Sequence, residues 1–250
     1  MRLRVLLLAA TVAFLGLPAV AGEVSVAVAA NFTAPAEKIG AAFKAATGHD
    51  AVFSFGASGG LYTQVTQGAP FEVFLSADAA RPAQVVTDGL GVEGSVFTYA
   101  VGTLALYSPS IDVTDAGAVL RAGDFRHIAI GDPATAPYGA AAMETMAALG
   151  VIEALTPKLV TGQNITQALQ FVESGSAEIG FVALSQVIDR PATHVWRVPG
   201  TLHAPIHQDA VLLKTGADNP AATAFIAFLR GDEARAIIER FGYEPGAAGG

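Results

Sequence analysis

Short β-rich apolar runs alternate with stretches of helical periodicity, the pattern of a parallel α/β sheet with helices between its strands. Val24–Ala29 is the first such run and leads into Ala30-Asn31-Phe32-Thr33. Pro35 falls in the first turn of a predicted helix carrying Ile39 and Phe43, and Gly48 closes it. Asp50–Phe55 predicts a second strand, followed by Gly56-Ala57-Ser58-Gly59-Gly60. A helix over about 59 to 67 comes next, with Leu61 and Val65 on one face. Phe71–Leu75 predicts a third strand, entering Ser76-Ala77-Asp78.

After Tyr99–Ser108 the alternation begins again. His127–Ile130 predicts a strand leading to Ala136-Pro137-Tyr138-Gly139 and a helix to Leu149, stopped by Gly150. Lys158–Thr161 leads through Gly162-Gln163-Asn164-Ile165 into a helix with Leu169 and Val172 on its apolar face. Ile179–Val182 and Gln208–Leu213 predict further strands, and Pro220–Leu229 and Glu233–Phe241 two closing helices. Two α/β units result, about 24–100 and 101–205. The stretch from 206 is too small to fold alone and completes the first. A chain that leaves one lobe, builds a second and returns predicts an α/β molecule of two lobes, with a two-segment hinge and an interlobe cleft.

Composition narrows the function. The 250 residues carry 14 Lys plus Arg against 22 Asp plus Glu, a net charge of −8, which argues against nucleic acid or anionic lipid as partner. There is no cysteine, so disulfides, thiolate metal sites and cysteine nucleophiles are excluded. Met1–Ala21 reads as a cleaved secretory signal peptide: Arg2 and Arg4, an apolar stretch from Val5 to Leu17, then Ala19-Val20-Ala21. Its removal leaves 12 basic against 22 acidic side chains, a net of −10. The expected domains are 1–21 as leader, 22–100 plus 206–250 as lobe 1, and 101–205 as lobe 2. Nothing in the sequence suggests an oligomer.

Four strand-to-helix junctions share one chemistry: Ala30-Asn31, Gly56–Gly60, Ala136–Gly139 and Asn164-Ile165. Each places small or uncharged polar residues where a helix starts, and none contains Lys or Arg. First-turn N–H groups have no partner inside their helix, and the aligned peptide dipoles put roughly +0.5 charge there. Converging across a cleft, such junctions make an anion site without formal positive charge. Ordinary N-capping by Ser58 and Asn164 is the plainer alternative.

Other motifs compete. Gly56-Ala57-Ser58-Gly59-Gly60 satisfies G-x-S-x-G, which would make Ser58 the nucleophile of a secreted hydrolase, with Asp189 and His194 as partners. His203 and His207 have a metal-ligand spacing, but Pro205 lies between them and no third ligand is evident. Gly89-Leu90-Gly91-Val92-Glu93-Gly94 precedes no helix and reads as a loop, not a dinucleotide site. Trp196 alternates with polar residues in a predicted strand.

Val26-Ala27-Val28-Ala29-Ala30-Asn31-Phe32, Phe55-Gly56-Ala57-Ser58-Gly59, Gly68–Asp78, Ala136-Pro137-Tyr138-Gly139 and Gly180-Phe181-Val182-Ala183-Leu184 together resemble the periplasmic molybdate-binding proteins of ABC importers. The likeness runs in order through the predicted mature chain. It implies a type II periplasmic-binding-protein fold holding a tetrahedral oxyanion between its lobes, no enzyme activity, no cofactor, and delivery of molybdate or tungstate to an inner-membrane permease. It also implies the site: Ala30 through its backbone, Asn31 as a small polar donor, Ser58 by side chain and N–H, and Ile165 through its amide. Many members carry a ligand tyrosine where this sequence has Ala183; the Ala136–Gly139 junction is similar to a sub-group in which Tyr138 replaces it. The same fold binding sulfate or another oxyanion is the alternative within the class.

Overall fold

A computed structural model describes residues 21–246. The leader expected at 1–21, Ala21 apart, lies outside the described residues, as do residues 247–250.

β1 (Glu23–Ala29), buried continuously from Val26 onward, passes through a 3-10 turn at Ala30–Phe32 into α1 (Thr33–Thr47). Ile39 and Phe43 are buried on α1, and Gly48 ends it in the left-handed conformation at φ 78°. β2 (Asp50–Gly56), α2 (Ser58–Thr66), β3 (Val73–Leu75) and α3 (Ala80–Thr87) follow. β4 (Phe97–Gly102) and β5 (Leu104–Tyr107) are separated only by Thr103, yet they lie in different sheets. The run at Tyr99–Ser108 is therefore a crossing between the two.

α4 (Ala116–Ala122), β6 (Ile128–Gly131), α5 (Pro137–Ala148), α6 (Ile152–Leu155), β7 (Leu159–Gly162), α7 (Ile165–Glu173), β8 (Ile179–Ala183), α8 (Leu184–Val187) and β9 (Val195–Arg197) complete the second unit. β10 (Ile206–Leu212), α9 (Pro220–Leu229), α10 (Asp232–Arg240) and β11 (Glu244–Pro245) return to the first.

The strand orders are β11-β4-β10-β3-β1-β2 and β7-β6-β8-β5-β9. Only the β2-β1-β3 and β7-β6-β8 trios are parallel. The sheets are mixed, which corrects the expectation of a simple parallel sheet. The reason is the crossing: β4 leads out of the first sheet and β10 leads back, so they pair antiparallel.

Register sets the position of the site. Val28 pairs with Phe55 on one side and Leu75 on the other, so β1, β2 and β3 end level. Gly131 opposite Gly162 does the same for β6 and β7. In such sheets the space beyond the carboxyl ends of parallel strands is where ligands bind. The first sheet is packed on both faces, with Val26 and Val28 against Phe32, Ile39 and Phe225, and Ala27 and Phe74 against Leu61 and Val65. The second lobe's core takes in Ala29, Ala30 and Ala77 from the first, so the lobes are in apolar contact.

A candidate oxyanion site between the lobes

The four junctions line one cavity: Ala29, Ala30 and Asn31; Gly56, Ala57 and Ser58; Ala136, Pro137 and Tyr138; Asn164 and Ile165, with Ala77 beside them. The cavity is narrow, the size of about one water molecule, which excludes a sugar or an amino acid. Among the described residues, no Asp, Glu, Lys, Arg or His lines it.

Each junction presents backbone donors. Ala30 and Asn31 open the turn before α1, Ser58 is the first residue of α2, Tyr138 the second of α5, and Ile165 the first of α7. Their N–H groups stand in first turns, where the helix supplies no acceptor. Asn164 caps α7 by accepting from Gln167 N–H at 3.0 Å, which leaves the Ile165 amide for a guest. Ser58 does not cap its own helix; Ala57 holds the N-cap position. The Ser58 Oγ, almost fully buried, accepts instead from Ala77 N–H at 2.9 Å. Accepting that bond leaves the Ser58 hydroxyl proton available to donate.

Two side chains sit differently from the sequence expectation. The Asn31 Nδ2 donates to Gln208 Oε1 at 2.8 Å and to the Tyr243 hydroxyl at 3.0 Å, so both amide hydrogens are engaged. Asn31 can therefore serve the cavity through its backbone N–H, not through its side chain. The Tyr138 hydroxyl accepts from Gln208 Nε2 at 3.2 Å beside Gly102, where β4 crosses to β5, while the Tyr138 amide stands in the first turn of α5 that lines the cavity.

These contacts belong to a buried polar network that sequence reasoning did not identify. Gln208, fully buried, also accepts from Tyr99 OH at 3.1 Å, and Tyr243 OH donates to the Asn31 carbonyl at 2.8 Å. Ser185 on α8 of the second lobe donates to the same carbonyl at 2.9 Å. Burial, first of all, pushes the Tyr243 hydroxyl up to about 12 and holds Tyr138 well above the ordinary phenol value. The network is neutral at any physiological pH. Gln208, between His207 and Asp209 near the start of β10, gives no sign in the sequence that it would be fully buried.

The hydrolase arrangement does not assemble. Ser58 Oγ bonds to a backbone amide, whereas His194 Nδ1 lies 2.8 Å from the Ser108 carbonyl in the second lobe. His207 is on β10 and His203 in the turn before it, so no helix joins them. Ala183 ends β8, buried, with its N–H on Gln186 Oε1 at 3.1 Å.

Bonds cross the cleft on both sides of the cavity. Gly59 N–H donates to the Thr135 carbonyl at 2.9 Å, and Arg81 Nη2 reaches the Ala134 carbonyl at 3.3 Å. On the other side Thr166 Oγ1 donates to the Ala30 carbonyl at 3.2 Å. The lobes are closed.

Residues 24–244 match the family model of the bacterial extracellular solute-binding proteins. The chain is 58% identical over 230 residues to the molybdate-binding protein ModA of Rhodobacter capsulatus, covering 92% of this chain and 91% of that one. It is 53% identical over 227 residues to ModA of Azotobacter vinelandii, with 89% and 90% covered. The solved structure of the Azotobacter vinelandii periplasmic molybdate-binding protein superposes with a TM-score of 0.84 at 37% identity, covering 88% of this chain and 98% of that one.

Proposed function

Because the chain belongs to the bacterial extracellular solute-binding proteins, a family of periplasmic carriers, we propose that it captures molybdate and passes it to the membrane permease of an ABC importer. Tungstate, nearly the same size and charge, binds as well. The protein is exported by its cleaved leader, acts as a monomer, and performs no catalysis on its cargo.

One observation carries this reading: four charge-free helix starts, two from each lobe, converge on one narrow cavity. Ala30, Asn31, Ser58, Tyr138 and Ile165 donate to the oxyanion, Ser58 through hydroxyl and amide and the others through amides. Hydrogen bonds to a charged group contribute about 1.5–3 kcal/mol each, so several suffice for tight binding after desolvation. Among the described residues no carboxylate lines the cavity to accept a hydrogen bond from a guest's O–H, which favours a fully ionised dianion over hydrogen phosphate. A smaller anion such as sulfate cannot touch every donor at once.

The experiment is a thermal-shift comparison of molybdate, tungstate, sulfate and phosphate. A ligand at about 100 times its Kd stabilises the native state by about 2.7 kcal/mol. Molybdate and tungstate should raise the melting temperature and the other two should not. A shift with sulfate and none with molybdate would move the protein to the alternative oxyanion.

A further inference from the structure

We infer that Arg81, which does not line the cavity, is the residue that sets how long the closed cleft retains its guest. The inference rests on the reading of the cavity as an oxyanion site.

Arg81 stands near the start of α3 in the first lobe, and Asp78 holds it twice. Its backbone N–H donates to Asp78 Oδ1 at 2.9 Å, and its Nη1 pairs with Asp78 Oδ2. The pair is three-quarters or more buried, with side-chain exposures of 25% and 20%. So aimed, Nη2 crosses to the Ala134 carbonyl of the second lobe. The neighbouring crossing, Gly59 N–H to the Thr135 carbonyl, falls on the next residue of the same loop. Gly59 makes room for both: a Cβ there would stand 3.0 Å from Arg81 Nη2 and 3.0 Å from Thr135 Cα. The receiving loop is itself held, since Asp132 accepts from Ala134 N–H at 3.0 Å and from Thr135 Oγ1 at 3.3 Å.

A rigid, charged donor in one lobe thus meets a rigid acceptor in the other, and only when the cleft is shut. An interaction present in the closed state and absent in the open one lengthens the closed lifetime without changing the open protein. A guanidinium can hold Asp78 and Ala134 together; a lysine ammonium lacks the fork to do so in this geometry.

The test follows radiolabelled molybdate, first taken up by wild type, Arg81→Met and Arg81→Lys, as it exchanges into excess unlabelled molybdate. Both variants should release about three- to tenfold faster, with association within about twofold of wild type. The ligand-free melting temperature should change little, because the crossing bond that both variants lose is absent from the open protein. Slower association with unchanged release, restored by Arg81→Lys, would overturn the inference and make Arg81 an electrostatic guide for anions. Unchanged rates would overturn it too. If the wild type takes up no oxyanion, the functional reading fails, and the crossing is then tested alone by hydrogen exchange at the Gly59 amide. Arg81→Met should speed that exchange; equal exchange overturns the inference.

Discussion

Ser58 sits where two demands meet, since its oxygen satisfies the buried Ala77 amide while its proton is, on the proposed reading, the one that serves the guest. Ser58→Ala should weaken molybdate by about 1.5–3 kcal/mol, roughly ten- to a hundredfold, in titration calorimetry. Unchanged affinity would remove the hydroxyl from the site. Glu178 makes a separate prediction about stability. Burial would raise its carboxyl, but bonds from His127 N–H and the Arg126 guanidinium outweigh that and hold it at about 2. A depressed carboxylate stabilises the fold above its unfolded value, about 4.5, and loses that contribution as pH falls through about 2. Glu178→Gln should therefore melt below wild type at neutral pH, and the gap should narrow steadily below about pH 4.5. At this scale the sequence was partly legible. Ser58, Ala30 and Ile165 stood out because their place at a helix start is written in neighbouring residues. The engagement of Asn31 did not, because its partners Gln208 and Tyr243 are 177 and 212 positions away and only the fold brings them near.

Among elements, the strands and long helices follow from their own periodicity, which is why α1, α5, α7 and α9 fall close to where the pattern puts them. Strand direction leaves no mark on an apolar run, so the antiparallel β10 and β5 could not be read in advance. Neither could the break at Thr103, which interrupts neither hydrophobicity nor β-propensity. The short helices α4 and α6 offer too few turns to show a repeat. The approach of α5 to β6 is the element contact on which the third junction depends. A Cβ at Gly139 would overlap the Gly131 carbonyl oxygen, a backbone atom that cannot rotate away. Gly139→Ala should cost about 1–3 kcal/mol of stability in urea denaturation and reduce molybdate affinity with it, since the Tyr138 amide moves with the helix. A variant as stable and as tight as wild type would show that the junction tolerates displacement.

For the molecule as a whole, the lining of the cavity and the charge of its surroundings act on different quantities. With no titratable group among the lining residues except the strongly raised Tyr138, the equilibrium affinity for a dianion should stay flat from about pH 6 to about 9. Capture is another matter, because the chain without its expected leader carries 12 basic against 22 acidic side chains, a net of −10, and repels the incoming ion. Added salt screens that repulsion, so the association rate should rise with ionic strength, opposite to a carrier with a basic cleft. Stopped-flow measurements between about 10 mM and about 200 mM salt decide it; a fall would point to a local positive field stronger than the global one. The cavity's small volume has one more consequence. A carrier that holds a single ion and shuts over it is either loaded or empty, with nothing between. Its saturation curve is a plain hyperbola, and the traffic it sustains depends on how many carriers are filled, never on how full each one is.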